Sequence, residues 1–571
     1  MTSISARRRQ QKTVNNEVKS LSVKDKLALR KQQRKARQKL FLSWALSLSL
    51  GILVTLFALF LTEVKLAVGA GVATICLILS YFYPRSALWV FLIYMPFGGT
   101  ITYWLADGKL IFQIAKDVFY IPALLALLVD CQRRNKPIFV AKQLLPTFSF
   151  LVAICVMILF AINARLELFA PTCTFLSETA STGICRDGQT FLQGILGLKV
   201  FLGYIPLIFC AYYLIEDKKT LLTLGRVLAI LAIICCTLAF IQYTFLKTGR
   251  CQATSALTEG AGLFQASLDA KCFVGGSLLY TPEQNQIRLP GTFVSPWHWG
   301  WFLIANSAIC FTVAFFEVSF FWQLIGFGGL GLIFINAVIS GQRAALIGVP
   351  AFTLVMLVLT GQIVRLKRFL PIALGMALVL VIFASRNPDF IQQRIDSTIG
   401  RWKTAPPQEF IIRQWNWAAQ NGVSYGGILL GKGLGSATNS GRAFGSTAFL
   451  ETYHPKVLYE VGYLGLIAFL VFITHLLLYT FKIYRSLRDP VLKSFAGAFW
   501  IFMLVIGYFP YWYPLDTDPV AIYYWLFAGV LIKLQAIDKE ERTKEIEQIT
   551  ISKPIKRKKG RLISKRTSFN N

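Results

Sequence analysis

Apolar stretches long enough to cross a bilayer recur along almost the whole of this chain. About fourteen can be marked, at roughly 41–62, 66–83, 87–105, 110–129, 144–163, 191–214, 221–246, 296–316, 320–340, 344–361, 369–385, 457–481, 494–511 and 519–536. A helix needs about 20 apolar residues to cross the hydrocarbon, because every backbone polar group must be satisfied internally. The pattern predicts an all-α polytopic membrane protein. The composition agrees: only 15% of the 571 residues are charged and 55% are hydrophobic, where soluble domains carry about 25% charge. The third segment is interrupted by Pro96. The first follows about 40 polar residues and is long enough to span, so it reads as a helix and not a cleaved leader.

Charge sets an orientation. The net charge is +31, and much of it lies in two tails. Residues 1–40 hold thirteen Lys/Arg against Glu17 and Asp25, and residues 538–571 hold eleven against five acids. Both tails flank apolar spans, which reads as the positive-inside signal with attraction to anionic headgroups, and not as nucleic-acid binding. With the N-tail in the cytoplasm, the alternate loops are "CQRRNKP" (131–137), "EDKK" (216–219), "VRLKR" (364–368) and "KIYRSLRDPVLK" (482–493), each carrying Lys or Arg and three of the four net basic. An even number of spans returns the C-tail to the same side. The expected plan is a basic cytoplasmic tail (1–40), eleven spans (41–385), a large periplasmic loop (386–456), three spans (457–536) and a second basic cytoplasmic tail (537–571).

Three outer segments exceed a simple turn: 164–190, 247–295 and 386–455. The last contains "PPQEFIIRQWNWAAQNG" (406–422), with prolines at its start, Asn-Gly at its end and apolar residues at helical spacing. It predicts an amphipathic helix on the outer membrane surface or capping the spans. Most of the eleven cysteines lie in apolar runs, but Cys173 and Cys185 share one polar loop and Cys251 and Cys272 another. In an oxidising compartment each pair can close a disulfide. Neither has zinc-ligand spacing.

A charge at the hydrocarbon boundary is a candidate functional residue. Arg288 precedes the eighth span in "RLPGTFVSPWHWGWF", and Arg343 sits in the short turn "ISGQRAALIG". Each is either an anion contact, since guanidinium forks match phosphate oxygens, or a snorkelling anchor. Of three histidines, His475 is mid-span and His298 lies in an aromatic "WHW" of belt character. His454 stands where the long loop meets the twelfth span, beside Glu451, Tyr453 and Lys456, and is the candidate general base. "GKGLGS" (431–436) follows no strand and lacks a Lys-Ser/Thr ending, so it reads as a tight turn and not a phosphate loop. Asp516 and Asp518 in "PLDTDP" form no metal-ligand cluster in sequence, and no metal site is assigned. Lys116 with Asp117, and Lys199, are charges inside apolar stretches, either an internal pair or the lining of a lipid groove.

Together these outer segments resemble the O-antigen ligase and polymerase superfamily. The likeness covers about 288–481. It rests on Arg288 before a G-x-F-x-x-P entry into a span, on Arg343 two spans later, and on Arg413, Trp417 and the Gly431–Ser436 run in the long loop. His454 follows, ahead of an E-x-G-x-x-G-L pattern beginning at Glu460. Two positions depart from it: Pro455 stands where many members have Asn, and the usual S-x-S-R turn reads "SGQR" (340–343). The N-terminal part, including "SYFYPRSALWVFLIYMPFGGTITYW" (80–104), looks like the hormogonium polysaccharide proteins of filamentous cyanobacteria.

The resemblance implies a glycosyltransferase whose donor is a glycan linked to a polyprenyl pyrophosphate. Arg288 and Arg343 would hold the pyrophosphate and His454 would act as base on the acceptor hydroxyl. Arg413 is either a weaker pyrophosphate candidate or only an organiser of the loop. The acceptor would be a glycan, lipid or protein. No metal, nucleotide sugar or other cofactor is implied. Membrane lipids and other polysaccharide assembly and export proteins are the implied partners. The alternative from another class is a lipid-linked-glycan flippase or polysaccharide transporter, which would show matched halves and ionisable residues near the bilayer midplane.

Overall fold

A computed structural model describes residues 23–108, 115–172, 188–257, 267–281, 286–362, 388–404, 406–509 and 514–552, with a few positions between 374 and 386. Among the described residues, eleven helices are long and apolar enough to cross a membrane. They lie within α1 (Val23–Leu59), α2 (Val64–Phe82), α3 (Pro84–Leu105), α5 (Lys142–Phe169), α6 (Thr190–Leu214) and α7 (Lys218–Lys247), and within α8 (Pro296–Phe316), α9 (Phe320–Ile339), α13 (Tyr453–Ser486), α14 (Pro490–Tyr508) and α15 (Val520–Ser552). Two further expected spans are shorter helices of 17 residues each, α4 (Asp117–Arg133) and α10 (Arg343–Leu359). The expected span at 369–385 lies largely outside the described residues, as do Cys173, Cys185, residues 1–22 and residues 553–571.

Local chemistry sets the helix ends. Proline occupies the first turn of α8 and α14, where its missing N–H costs nothing. Asp217 accepts from Thr220 N (2.8 Å) to cap α7, and Asp489 accepts from Val491 N (2.8 Å) and Leu492 N (3.0 Å) to cap α14. Pro96 breaks α3 at a 3₁₀ turn (Met95–Phe97), and the helix ends in a π turn (Ile101–Leu105). The amphipathic stretches of the long loop are α11 (Pro388–Thr404) and α12 (Pro407–Asn421). The only paired strands among the described residues are β1 (Leu279–Thr281) and β2 (Gln286–Arg288), an antiparallel hairpin.

The bundle is organised around α8 and α15, whose most apolar windows are 89% and 83% buried, against 17% for α1 and α2. Helix α8 packs on α7, α9, α10 and α14, while α15 packs on α6, α13 and α14. The loops segregate to two ends. At one end Arg85 pairs with Glu216 (2.5 Å), Lys218 with Asp489 (2.6 Å) and Arg542 with Asp538, and Tyr213 donates to the Pro137 carbonyl (2.7 Å). At the other, Lys65 pairs with Asp107 (2.5 Å), Gln189 N donates to Phe444 O (2.6 Å), and Trp104 Nε1 donates to Gly275 O (3.2 Å). These are the loop sets that charge alternation puts on the inner and outer sides. Cys251 and Cys272 are disulfide-bonded at the second end.

Candidate functional site

Arg288 and Arg343, 55 positions apart in sequence, are carried by backbone segments in direct contact. Arg288 closes β2, and the next residue, Leu289, donates its N–H to Ser340 O (2.9 Å) at the end of α9. The turn into α10 passes through Gly341 at φ +73°, where a Cβ would lie 2.8 Å from Ile287 O and 3.2 Å from the Arg288 Cα. Only glycine lets the hairpin and turn approach this closely. Both arginines are half-buried. Beside them Gln342 is buried (4% exposed), and its Nε2 has no hydrogen-bond acceptor among the described residues. A buried amide donor without a partner is costly, and it lies next to the two guanidinium-bearing positions.

His454 occupies the first turn of α13, which is not one straight helix. Gly462, at φ 64° and ψ −173°, breaks it, and the chain folds back so that the Tyr453 ring comes 5.6 Å from that of Phe469. The limb 453–461 thus runs back along the longer limb 463–486. The "GKGLGS" turn caps it: Lys432 N donates to Tyr459 O (2.7 Å) and Gly433 N to Glu460 O (3.0 Å). Glu460 in return accepts from Ala437 N (2.8 Å) and Thr438 Oγ1 (3.0 Å). His454 is buried, with Nε2 3.1 Å from the Gly507 carbonyl. A carbonyl can only accept, so Nε2 carries the proton in the neutral ring and Nδ1 keeps its lone pair.

The arginine pair and His454 flank the first turns of α8. Gly300 abuts Gln342, with an added Cβ 3.3 Å from its Cβ, while Trp301 meets Phe509 edge-on (5.2 Å), two residues beyond Gly507. Arg413 is exposed on α12. That helix lies over α13 through Trp417 stacked on Tyr459 (5.4 Å), and Gln414 accepts from Glu451 N (3.0 Å). Residues 407–421 therefore form a cap.

A second polar group at the same end was only partly foreseeable. Lys116 pairs with Asp518 (2.5 Å), Lys199 with Asp117 (2.6 Å) and Lys456 with Asp516. The Tyr204 hydroxyl donates to Asp117 Oδ1 (3.4 Å), and Ser295 bonds His298 Nδ1. The sequence neighbours Lys116 and Asp117 thus take different partners. Asp516 and Asp518, set aside for want of a metal cluster, are counter-ions to lysines from two other elements. His298 belongs to this group and not to an aromatic belt. Burial pushes the Asp518 carboxyl up, but the Lys116 ammonium and its hydrogen bond, with the charges of His298 and Lys199, outweigh that and hold it below the ordinary carboxylate range. The signal available in sequence was a lysine or aspartate inside an apolar stretch. The partners were not available, because every pair joins distant segments.

No protein-family model matches this chain, and no curated protein matches it.

Proposed function

We propose that this protein is a membrane glycosyltransferase of polysaccharide assembly, of the O-antigen ligase and polymerase kind, which transfers or polymerises glycan from a polyprenyl-pyrophosphate carrier at the periplasmic face. One observation carries the reading. The hairpin ending at Arg288 docks on the Ser340–Arg343 turn, so two guanidinium positions adjoin at the end of the bundle away from the basic loops. The Cys251–Cys272 disulfide at that end supports an oxidising compartment there. The basic loops at the other end support cytoplasmic termini and an inner-membrane location.

The chemistry follows from the residues. The acceptor hydroxyl oxygen attacks the anomeric carbon as the bond from that carbon to the diphosphate oxygen breaks, and the bonding pair leaves with the lipid diphosphate. Arg288 and Arg343 stabilise the charge that develops there. The hydroxyl proton goes to His454 Nδ1, the nitrogen left free by the Gly507 contact. Arg413, exposed on the cap, holds the loop.

The test is surface polysaccharide in cells carrying Arg343→Ala or His454→Ala at matched protein level. Each is expected to lose polymer by about 100-fold or more, the scale of a lost oxyanion donor or general base. Unchanged polymer in both ends the proposal. The partly buried Lys–Asp pairs favour a second reading, a lipid-linked-glycan flippase. In that case both variants would instead accumulate lipid-linked donor on the cytoplasmic leaflet.

A further inference from the structure

A small apolar core stands apart from the main one at the outer end of the bundle. Among the described residues it buries Ala253, Cys272, Leu278, Leu289 and Ile339, and Tyr243 and Leu246 of α7 and Ile287 of β2 pack against it. Two of its members flank the candidate site directly: Leu289 follows Arg288, and Ile339 precedes Ser340. The Cys251–Cys272 disulfide closes on this core, with Cys272 only 1% exposed and Cys251 partly exposed.

A chain of contacts leads from the disulfide to Arg288. On the Cys251 side, Thr254 N donates to Leu278 O (3.1 Å), and Tyr280 N donates to Thr254 Oγ1 (2.9 Å). Leu278 precedes β1 and Tyr280 lies in it, and β1 pairs Leu279 with Arg288. On the Cys272 side, Gln242 Nε2 donates to Cys272 O (2.9 Å) and Val274 O (2.6 Å), and Gly276 N donates to Phe293 O (2.8 Å) ahead of α8. The bond thus ties the segment that steadies β1 to the segment that steadies the entry to α8, and Arg288 lies between them.

Size decides what holds this arrangement. A core of five buried residues cannot offset the ordering of the segments around it without a cross-link. The disulfide joins residues 21 apart and removes much of the freedom that the unbonded segments have. We infer that the Arg288 half of the site is completed by oxidation: the Cys251–Cys272 bond keeps hairpin β1–β2 docked on the Ser340–Arg343 turn, and a dithiol–disulfide oxidant of the outer compartment closes it. This rests on the donor-site reading above. In the closing step the partly exposed Cys251 thiolate attacks the oxidant's disulfide and forms a mixed disulfide, which Cys272 resolves by attack on the Cys251 sulfur. Two thiols lose two electrons and two protons, and the oxidant leaves as a dithiol. Reduction runs the exchange backwards and undocks Arg288, while Arg343 stays on α10.

The experiment compares the full chain in lipid nanodiscs as purified, after reduction by a phosphine, after reoxidation, and as Cys251→Ala/Cys272→Ala. Hydrogen exchange of 276–281 and 286–289 reads the hairpin. Surface polymer, in cells carrying the double variant at matched protein level, reads function. Hairpin protection is expected to fall about 30-fold in the reduced protein and in the double variant, the shift that loss of such a bond brings. It is expected to return on reoxidation, with α14 and α15 unchanged throughout. Polymer is expected to fall about tenfold or more, the scale of a misplaced binding group. Should the double variant fail to fold, the reduced and reoxidised protein carries the test. Unchanged hairpin protection overturns the inference and leaves the donor reading standing. Protection lost equally from α14 and α15 also overturns it, since the bond would then be a general staple. Lost hairpin protection with normal polymer overturns instead the donor role of Arg288.

Discussion

At the residue scale the buried charges are held by pairing. Lys456 is 3% exposed, and its ammonium meets Asp516 from the segment ahead of α15. Removing one partner leaves a lone buried charge, which costs more than removing both. Lys456→Met is therefore expected to destabilise by about 3–5 kcal/mol, read as a lower unfolding temperature of the detergent-solubilised protein. Adding Asp516→Leu is expected to recover most of that loss. A single variant as stable as its parent would show that the pair is solvated. Lys456 was noticed in sequence only as a neighbour of His454. Its partner sixty residues on, Asp516, was weighed in sequence only as a metal ligand, since nothing local marks an aspartate as the counter-ion of a distant lysine.

At the element scale the long helix α13 depends on one backbone position. Gly462 has φ 64° and ψ −173°, and a Cβ there would lie 2.2 Å from the Leu429 carbonyl oxygen. Gly462→Ala meets both a steric block and a conformation that L residues avoid, and is expected to cost about 1–3 kcal/mol or more. The limb bearing His454 should loosen first. Limited proteolysis of purified protein is expected to cut within 422–452 sooner than in the parent, with the remaining bundle intact. Equal cleavage would show that the fold-back tolerates a side chain. The apolar run beginning at 457 predicted a single descending span. The structure starts the helical run at Tyr453 and reverses it at Gly462, because capping by the 431–433 turn satisfies the carbonyls that the break exposes.

For the whole molecule, the two loop sets gather at opposite ends, as alternation of basic loops requires. An impermeant maleimide applied to intact cells is expected to label Ser440→Cys at once and Asn135→Cys only after permeabilisation. Both positions are exposed, and they lie at opposite ends of the bundle. The reverse result would invert the orientation and move the arginines to the cytoplasm. The sequence by itself determined the all-α membrane class, the segregation of loops, the amphipathic helix of the long loop and two possible cysteine pairs, of which Cys251–Cys272 is bonded and Cys173–Cys185 lies outside the described residues, because hydropathy, charge bias and helical period are local properties that a bilayer reads segment by segment. It also singled out Arg288, Arg343, His454 and Arg413. Only the tertiary structure decided that the first two adjoin, that they and His454 border the first turns of α8, and that Lys116, Lys199 and Lys456 each find an aspartate from another segment. Those outcomes depend on which helices pack together, and packing inside a membrane is set by side-chain shape and partner geometry that no single apolar stretch encodes.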